Sequence, residues 1–124
     1  MKHTKNRIPH LSNDDVKALL VALPLVSISD PGTLEQYHRN QMAVESVTNK
    51  FLNNNVSFTA DEIRVIFVAI GFALDYLSNR CDVPFDPSEI DSEWKSDLSK
   101  NFFAYSRLYP CFEAVAIEIE SQCK

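Results

Sequence analysis

The segment from Phe58 to Asn79, FTADEIRVIFVAIGFALDYLSN, limits the fold of this chain more than any other stretch. Its ten residues from Val65 to Leu74 carry no charge and no hydrogen-bonding side chain. Such a run is too short to cross a bilayer, which takes about 20 residues. A helix that is apolar on nearly every side is instead typical of the middle of a helical protein. We therefore predict a central helix over residues 60–79.

Two further patterns in this segment support the prediction. Thr59 and Glu62 have the spacing of a capping box, which marks a helix start. At about 100° per residue, the polar positions share one thin strip, whose inner members are Arg64, Gly71 and Asp75. All other directions are apolar, and the residues expected at the centre of the core are Ile66, Phe67, Ile70, Leu74 and Leu77.

The thin polar strip has two interpretations. Glycine inside a helix costs about 0.8–1 kcal/mol relative to alanine, so we expect Gly71 to permit close approach of another helix or of a second subunit. On that interpretation Arg64, Gly71 and Asp75 form a self-association face. The simpler interpretation is that the strip is the solvated edge of the central helix.

Two helices are predicted before the central one. The first begins at residues 12–13, a serine and an asparagine that are both good N-caps, and Pro24 should end or kink it. The second begins at Thr33, where T-L-E-Q is a capping box with Gln36 reaching back. It should stop in the asparagine run at 53–55.

After the central helix, Asp86 restarts a helix, because it can cap the chain and a proline follows at the first helical position. One amphipathic stripe then runs to Pro110, which should break or kink it. The members of this stripe are Trp94, Leu98, Phe102, Tyr105 and Tyr109. A last helix follows from Phe112. The run VAIEIE at 115–120 also alternates like a strand, so helix and strand both stay open for residues 114–120.

Together these patterns predict an all-α protein, a single-domain bundle of about five helices around the central helix. The scarcity of glycine, with two residues, agrees with this fold because small all-β domains need more glycine in their turns. Residues 11–124 form the domain. Residues 1–10 are basic and lack a hydrophobic period, so we expect a flexible arm.

Composition excludes some classes of partner and suggests a location. The net charge of −5 argues against a general nucleic-acid-binding protein. The basic arm could touch nucleic acid or membrane, but with three cations and no interleaved aromatic residues it is better explained as a disordered tail, so we expect neither partner. The three cysteines form no CxxC pair, and no secretion signal precedes the domain. We therefore expect a cytoplasmic protein.

The acidic window at residues 82–97, with six acidic residues and one lysine, is the strongest candidate site. It does not fit a calcium loop, because Pro84 and Ile90 stand at ligand positions and no glycine occupies the sixth. The functional interpretation is a docking patch for a basic protein, which comprises Asp86, Glu89, Asp91, Glu93, Trp94, Asp97 and Phe103. The plainer interpretation is that the acids stabilise a helix start and the aromatics belong to the core.

Metal and catalytic interpretations are weak. The three histidines lack metal-ligand spacing, and no glycine-rich phosphate loop is present. We therefore predict no metal site, no cofactor and no catalytic residue. The remaining enzyme hypothesis centres on His38, which Glu35 could orient from one turn earlier.

The function that these features favour is a non-catalytic protein-binding module. We expect a small acidic helical protein that docks a basic protein partner as an inhibitor, immunity or adaptor protein, a role suggested by analogy. One alternative is a self-associating structural homodimer. The other is an enzyme of unknown type that uses His38.

Overall fold

The central helix contacts every other helix of the described chain. The computed structural model describes residues 8–79 and 82–122, and in these residues it has five α-helices and no strand. The helices are α1 (Asn13–Ile28), α2 (Leu34–Leu52), α3 (Ala60–Leu77), α4 (Ser92–Lys100) and α5 (Phe102–Gln122). A short 3-10 helix, Pro87–Glu89, precedes α4. Because α3 packs against the other four, the predicted all-α bundle around a central helix is confirmed.

Apolar side chains from several helices cover α3. Its completely buried hydrophobic residues are Ile63, Val65, Ile66, Ala69, Ile70 and Ala73. They belong to one core with residues of α1 (Leu19, Leu23, Leu25), α2 (Val44, Val47, Phe51) and α5 (Leu108, Phe112). The predicted core centre is therefore confirmed for Ile66 and Ile70. Phe67, Leu74 and Leu77 are only partly buried, and Phe67 lies in the seam with α5, against the ring of Tyr109.

Local sequence sets the helix starts. Complete capping boxes open α1 and α3, at residues 12–15 and 59–62. At the start of α2, the Thr33 hydroxyl accepts the Gln36 N–H at 3.1 Å, as predicted. The Gln36 amide does not reach back, and donates instead to Asn40 Oδ1 at 2.8 Å. That half of the predicted box is wrong, because the buried Asn40, one turn further on, competes for the amide.

Pro24 and Pro110 both lie inside α-helices. The chain stays helical through Pro24 in α1 and Pro110 in α5, so of the predicted end or kink at each proline the helix end is wrong. A proline in a helix interior costs about 3 kcal/mol. The residues beyond the prolines offset this cost, since Leu25, Val26 and Phe112 are each at most 1% exposed.

The predicted stripe from Trp94 to Tyr109 forms two helices and not one. Asn101 separates α4 from α5, and its side-chain amide donates to the Asp97 carbonyl at 2.8 Å. A side chain that bonds the backbone in this way competes with helix continuation. The break also lets the two helices pack separately against α1.

Two other predictions concern residues 86–120. The Asp86 cap starts only the 3-10 helix, and Asp91 caps α4. Residues 114–120 are helical, so the strand alternative is wrong. Packing of Val115 and Ile119 against the core explains the choice, because these residues are four apart and lie on one helical face.

The predicted arm falls largely on residues 1–7, which lie outside the described residues. In the adjoining segment, Ile8 is partly buried against the core. Within the part of the chain that the structure describes, no helix is long and apolar enough to cross a membrane.

Two polar contacts tie α5 to α1. Tyr105 is fully buried, and its hydroxyl donates to the Ala18 carbonyl at 2.7 Å. Arg107 forms an ion pair with Asp15, which is buried at the first turn of α1. Burial, with a smaller effect of the Asp97 carboxylate, raises the pKa of the Tyr105 phenol, so the hydroxyl stays neutral and available as a donor.

Glu62 ties α2 to α3. Its carboxylate accepts hydrogen bonds from Lys50 Nζ at 2.6 Å, from the Thr59 N–H at 2.8 Å and from the Ser46 hydroxyl. Burial alone would raise the pKa of Glu62. The hydrogen bonds outweigh it and hold the pKa below the ordinary value of 4.5.

Tyr105→Phe is expected to lower the free energy of unfolding by about 1 kcal/mol, because it removes the buried hydrogen bond to Ala18 and little else. Urea denaturation followed by circular dichroism measures the change. Tyr37→Phe, at a partly exposed ring on α2, is the matched control and should change stability by less than about 0.5 kcal/mol. Equal effects of the two variants would contradict the role given to Tyr105.

Glu62→Gln is expected to cost about 1.5–3 kcal/mol of unfolding free energy at neutral pH, since hydrogen bonds to a charged group are lost. A carboxyl with a lowered folded pKa stabilises above its unfolded pKa, and this stabilisation is lost as pH falls through the folded pKa. The wild-type chain should therefore lose stability as pH drops below about 4.5, and the variant should lose less. Urea titrations at a series of pH values test this. Glu45→Gln, at an exposed glutamate of α2, should behave as wild type.

Candidate partner-binding site

A groove between α1 and α4 gathers four of the residues predicted to bind a partner. Its volume is about 370 Å³. It is lined by Leu20, Val21 and Pro24 of α1 and by Asp91, Glu93, Trp94 and Asp97 at α4. The groove is thus an aliphatic wall facing an acidic wall, with one indole between them.

Trp94 is held in a defined position. Its indole Nε1 donates to the Val21 carbonyl at 2.9 Å, and its backbone N–H donates to Asp91 Oδ1 at 2.8 Å. The side chain is half-buried and packs against the core. A tryptophan fixed at both its backbone and its ring loses little conformational entropy when a partner covers its exposed part.

Pro24 belongs to the aliphatic wall and leaves one helical carbonyl without its usual donor. Because proline has no N–H, the Leu20 carbonyl one turn earlier lacks its helical donor. Leu20 and Pro24 both line the groove. This wall was not predicted as part of a site, although a proline within the apolar period of α1 was its one signal in the sequence.

The charge of the groove is negative. Neither Glu93 nor Asp97 takes part in an ion pair among the described residues. Lys17 lies one helical turn before Leu20, and Lys95 directly follows Trp94, but neither lysine lines the groove. The groove therefore offers carboxylates, which are hydrogen-bond acceptors, to a ligand that carries donors and positive charge.

Some acids of the predicted patch have a structural task. Asp86 Oδ1 accepts the Ser88 N–H at 2.9 Å, and hydrogen bonds from the Ser88 backbone and side chain lower the pKa of Asp86. Asp91 caps α4 in the same way. For these two residues the plainer interpretation, that acids stabilise helix starts, applies as well.

The other predicted partner-binding residues lie apart from the groove. Asp86 and Glu89 are exposed at the 3-10 helix before α4 and do not line the groove. Phe103 is 83% exposed at the start of α5, where its ring contacts that of Phe102 at a centroid distance of 5.8 Å. The partner-binding role of all seven residues stays a prediction, but the structure brings only four of them together.

The strip predicted for self-association is partly occupied within the chain. Arg64 donates to Asn40 Oδ1 at 2.8 Å. A Cβ added at Gly71 would lie 3.6 Å from Tyr109 Cε1, which is an ordinary contact, so the ring of Tyr109 in α5 lies over this glycine. Asp75 is half-buried on the same helix. Gly71 therefore faces the chain's own last helix.

The residues of the enzyme hypothesis are on the surface of α2. Glu35 and His38 are both exposed, and the His38 ring contacts the Tyr37 ring at 5.9 Å. Cys111 is an exposed free thiol, while Cys81 and Cys123 lie outside the described residues. The described residues hold no cluster of three or more side chains that could bind a metal ion.

Comparison with known proteins does not assign the chain to a family. No family profile, no curated protein and no solved structure matches it.

Proposed function

We propose that this protein is a non-catalytic protein-binding module whose α1–α4 groove docks a basic protein partner. The position of Trp94 carries the proposal. Its half-buried indole donates a hydrogen bond to the Val21 carbonyl. The same groove contains Glu93 and Asp97, which form no ion pair in the described part of the chain. Tryptophan is among the residues most enriched at the energetic centres of protein interfaces.

A lysine or arginine side chain fits this chemistry. Its aliphatic stem would cover Leu20 and the indole, and its charged end would meet the carboxylates. An arginine would also be attracted to the face of Trp94. A groove that has both an apolar wall and carboxylates fits a cation on an apolar stem. A basic protein offers such a side chain, and a free metal ion does not.

The overall charge supports the same class of partner. The net charge of −5 and the acidic groove together give a field that attracts a basic protein and speeds its association. An inhibitor, immunity or adaptor protein would use such a surface, and a basic nucleic-acid-handling enzyme is the partner that analogy suggests. We place this interaction in the cytoplasm.

Trp94 is the only tryptophan in the chain, so its fluorescence reports on this groove alone. The tagged chain is first used to capture its partner from native lysate at about 50 mM salt. We expect it to recover a basic protein, and to lose that protein at about 500 mM salt because the shorter Debye length weakens electrostatic binding. Stopped-flow fluorescence with the purified partner then gives the association rate.

Glu93→Lys combined with Asp97→Lys should slow association about tenfold or more at low salt, and the rates should converge with those of wild type at high salt. Glu113→Lys combined with Glu118→Lys, at exposed positions of α5, changes the net charge equally and is the control. If both double variants slow association to the same extent, the effect is due to net charge, and the groove is not the docking site. Circular dichroism confirms that each variant keeps its helices.

A further inference from the structure

A second groove, between α3 and α5, is mainly apolar. Its volume is about 400 Å³. Its apolar walls are Ile63, Phe67 and Val68 of α3 and Ala116, Ile117 and Ile119 of α5. Ile117 on its rim is 60% exposed. One exposed isoleucine is ordinary, but an exposed isoleucine beside a mainly apolar groove is a surface suited to association.

The two walls of this groove carry opposite charges. On α3, Arg64 lies 4.0 Å from Asp61, whose carboxylate is also bound by Arg39 at 3.1 Å. On α5, Glu120 forms no ion pair among the described residues. Arg64 thus shares one carboxylate with Arg39 and lies across the groove from Glu120, an anion that has no cationic partner within residues 8–79 and 82–122.

Arg64 and Glu120 both line this groove, one from each wall. Phe67 contacts Tyr109, and the groove continues with residues 60–64 beside residues 116–120. Sequence numbers that fall on one helix while they rise on the other show that α3 and α5 are antiparallel. The charged pair and Ile117 therefore occupy one short section near the start of α3.

We propose that a second copy of this chain occupies the α3–α5 groove, about a two-fold axis parallel to these helices. Rotation about such an axis leaves every residue at its own level. Ile117 of each copy then enters the groove of the other beside Phe67, and Glu120 of each copy meets Arg64 of the other. Every contact is made twice, as in any isologous interface.

The complementarity of this groove to itself in charge selects a second copy over an unrelated partner. Of the predicted self-association face, only Arg64 takes part, since Gly71 is covered by Tyr109 of its own chain. The inference goes beyond the proposed function and uses different helices for its contacts. Its main test needs the purified chain alone, so a wild-type chain that stays monomeric overturns this inference and leaves the α1–α4 groove unaffected.

Exchange of the two charges tests the reciprocal geometry. Glu120→Arg alone places like charges together at both contacts, and so does Arg64→Glu alone. Each is expected to weaken the dimer by about tenfold or more, which sedimentation velocity measures across micromolar to millimolar concentrations. An equimolar mixture of the two variants places unlike charges together at both contacts, so dimers should return.

Ile117→Ser is a second variant and should also yield monomers. Met42→Ser is its control. Met42 of α2 is an even more exposed apolar residue, at 72%, and it does not line this groove. A wild-type chain that stays monomeric, or a mixture of charge variants that does not dimerise, overturns the proposal. Loss of the basic partner in Ile117→Ser, with no change in the mass of the isolated chain, would also overturn it and assign the groove to that partner.

Discussion

The apolar circumference of α3 is the constraint on which the rest of the structure depends. A helix that is hydrophobic in almost every direction is stable only when other helices cover it on all sides, because each uncovered apolar side chain forfeits burial free energy. α1, α2, α4 and α5 all contact it. The same requirement explains why α1 and α5 continue past Pro24 and Pro110, since the residues beyond these prolines are needed in the core.

Buried polar groups then determine how the covering helices are positioned. The Tyr105 hydroxyl donates a hydrogen bond to the Ala18 carbonyl. The Trp94 indole donates one to the Val21 carbonyl, one turn further along α1. These two contacts set α5 and α4 on neighbouring turns of the same helix. Among the described residues, no buried side-chain nitrogen or oxygen lacks a hydrogen-bond partner. The polar contacts therefore fix the positions of the helices without the free-energy cost of a buried polar group that lacks a hydrogen-bond partner.

The two grooves follow from this arrangement. α4 is short and leaves part of α1 open, so an indole and two carboxylates border an aliphatic wall. α5 is longer, and an apolar groove remains between its residues 116–120 and the first half of α3. Because the grooves use different helix pairs, docking of a basic partner and self-association can be separated by mutation.

The sequence by itself determined what depends on neighbours along the chain. The apolar run of α3, the capping residues Thr59 and Thr33 and the asparagines after α2 act within one or two helical turns, so helix number and most helix starts could be read from it. Of the candidate site, the acidic window and Trp94 were recognisable, but the aliphatic wall of α1 was not. Only the tertiary structure decided that the helices pass through both prolines, that Asn101 divides α4 from α5 and that Gly71 faces Tyr109. These outcomes depend on burial between residues far apart in sequence, and that free energy exceeds the local preferences that a sequence pattern expresses.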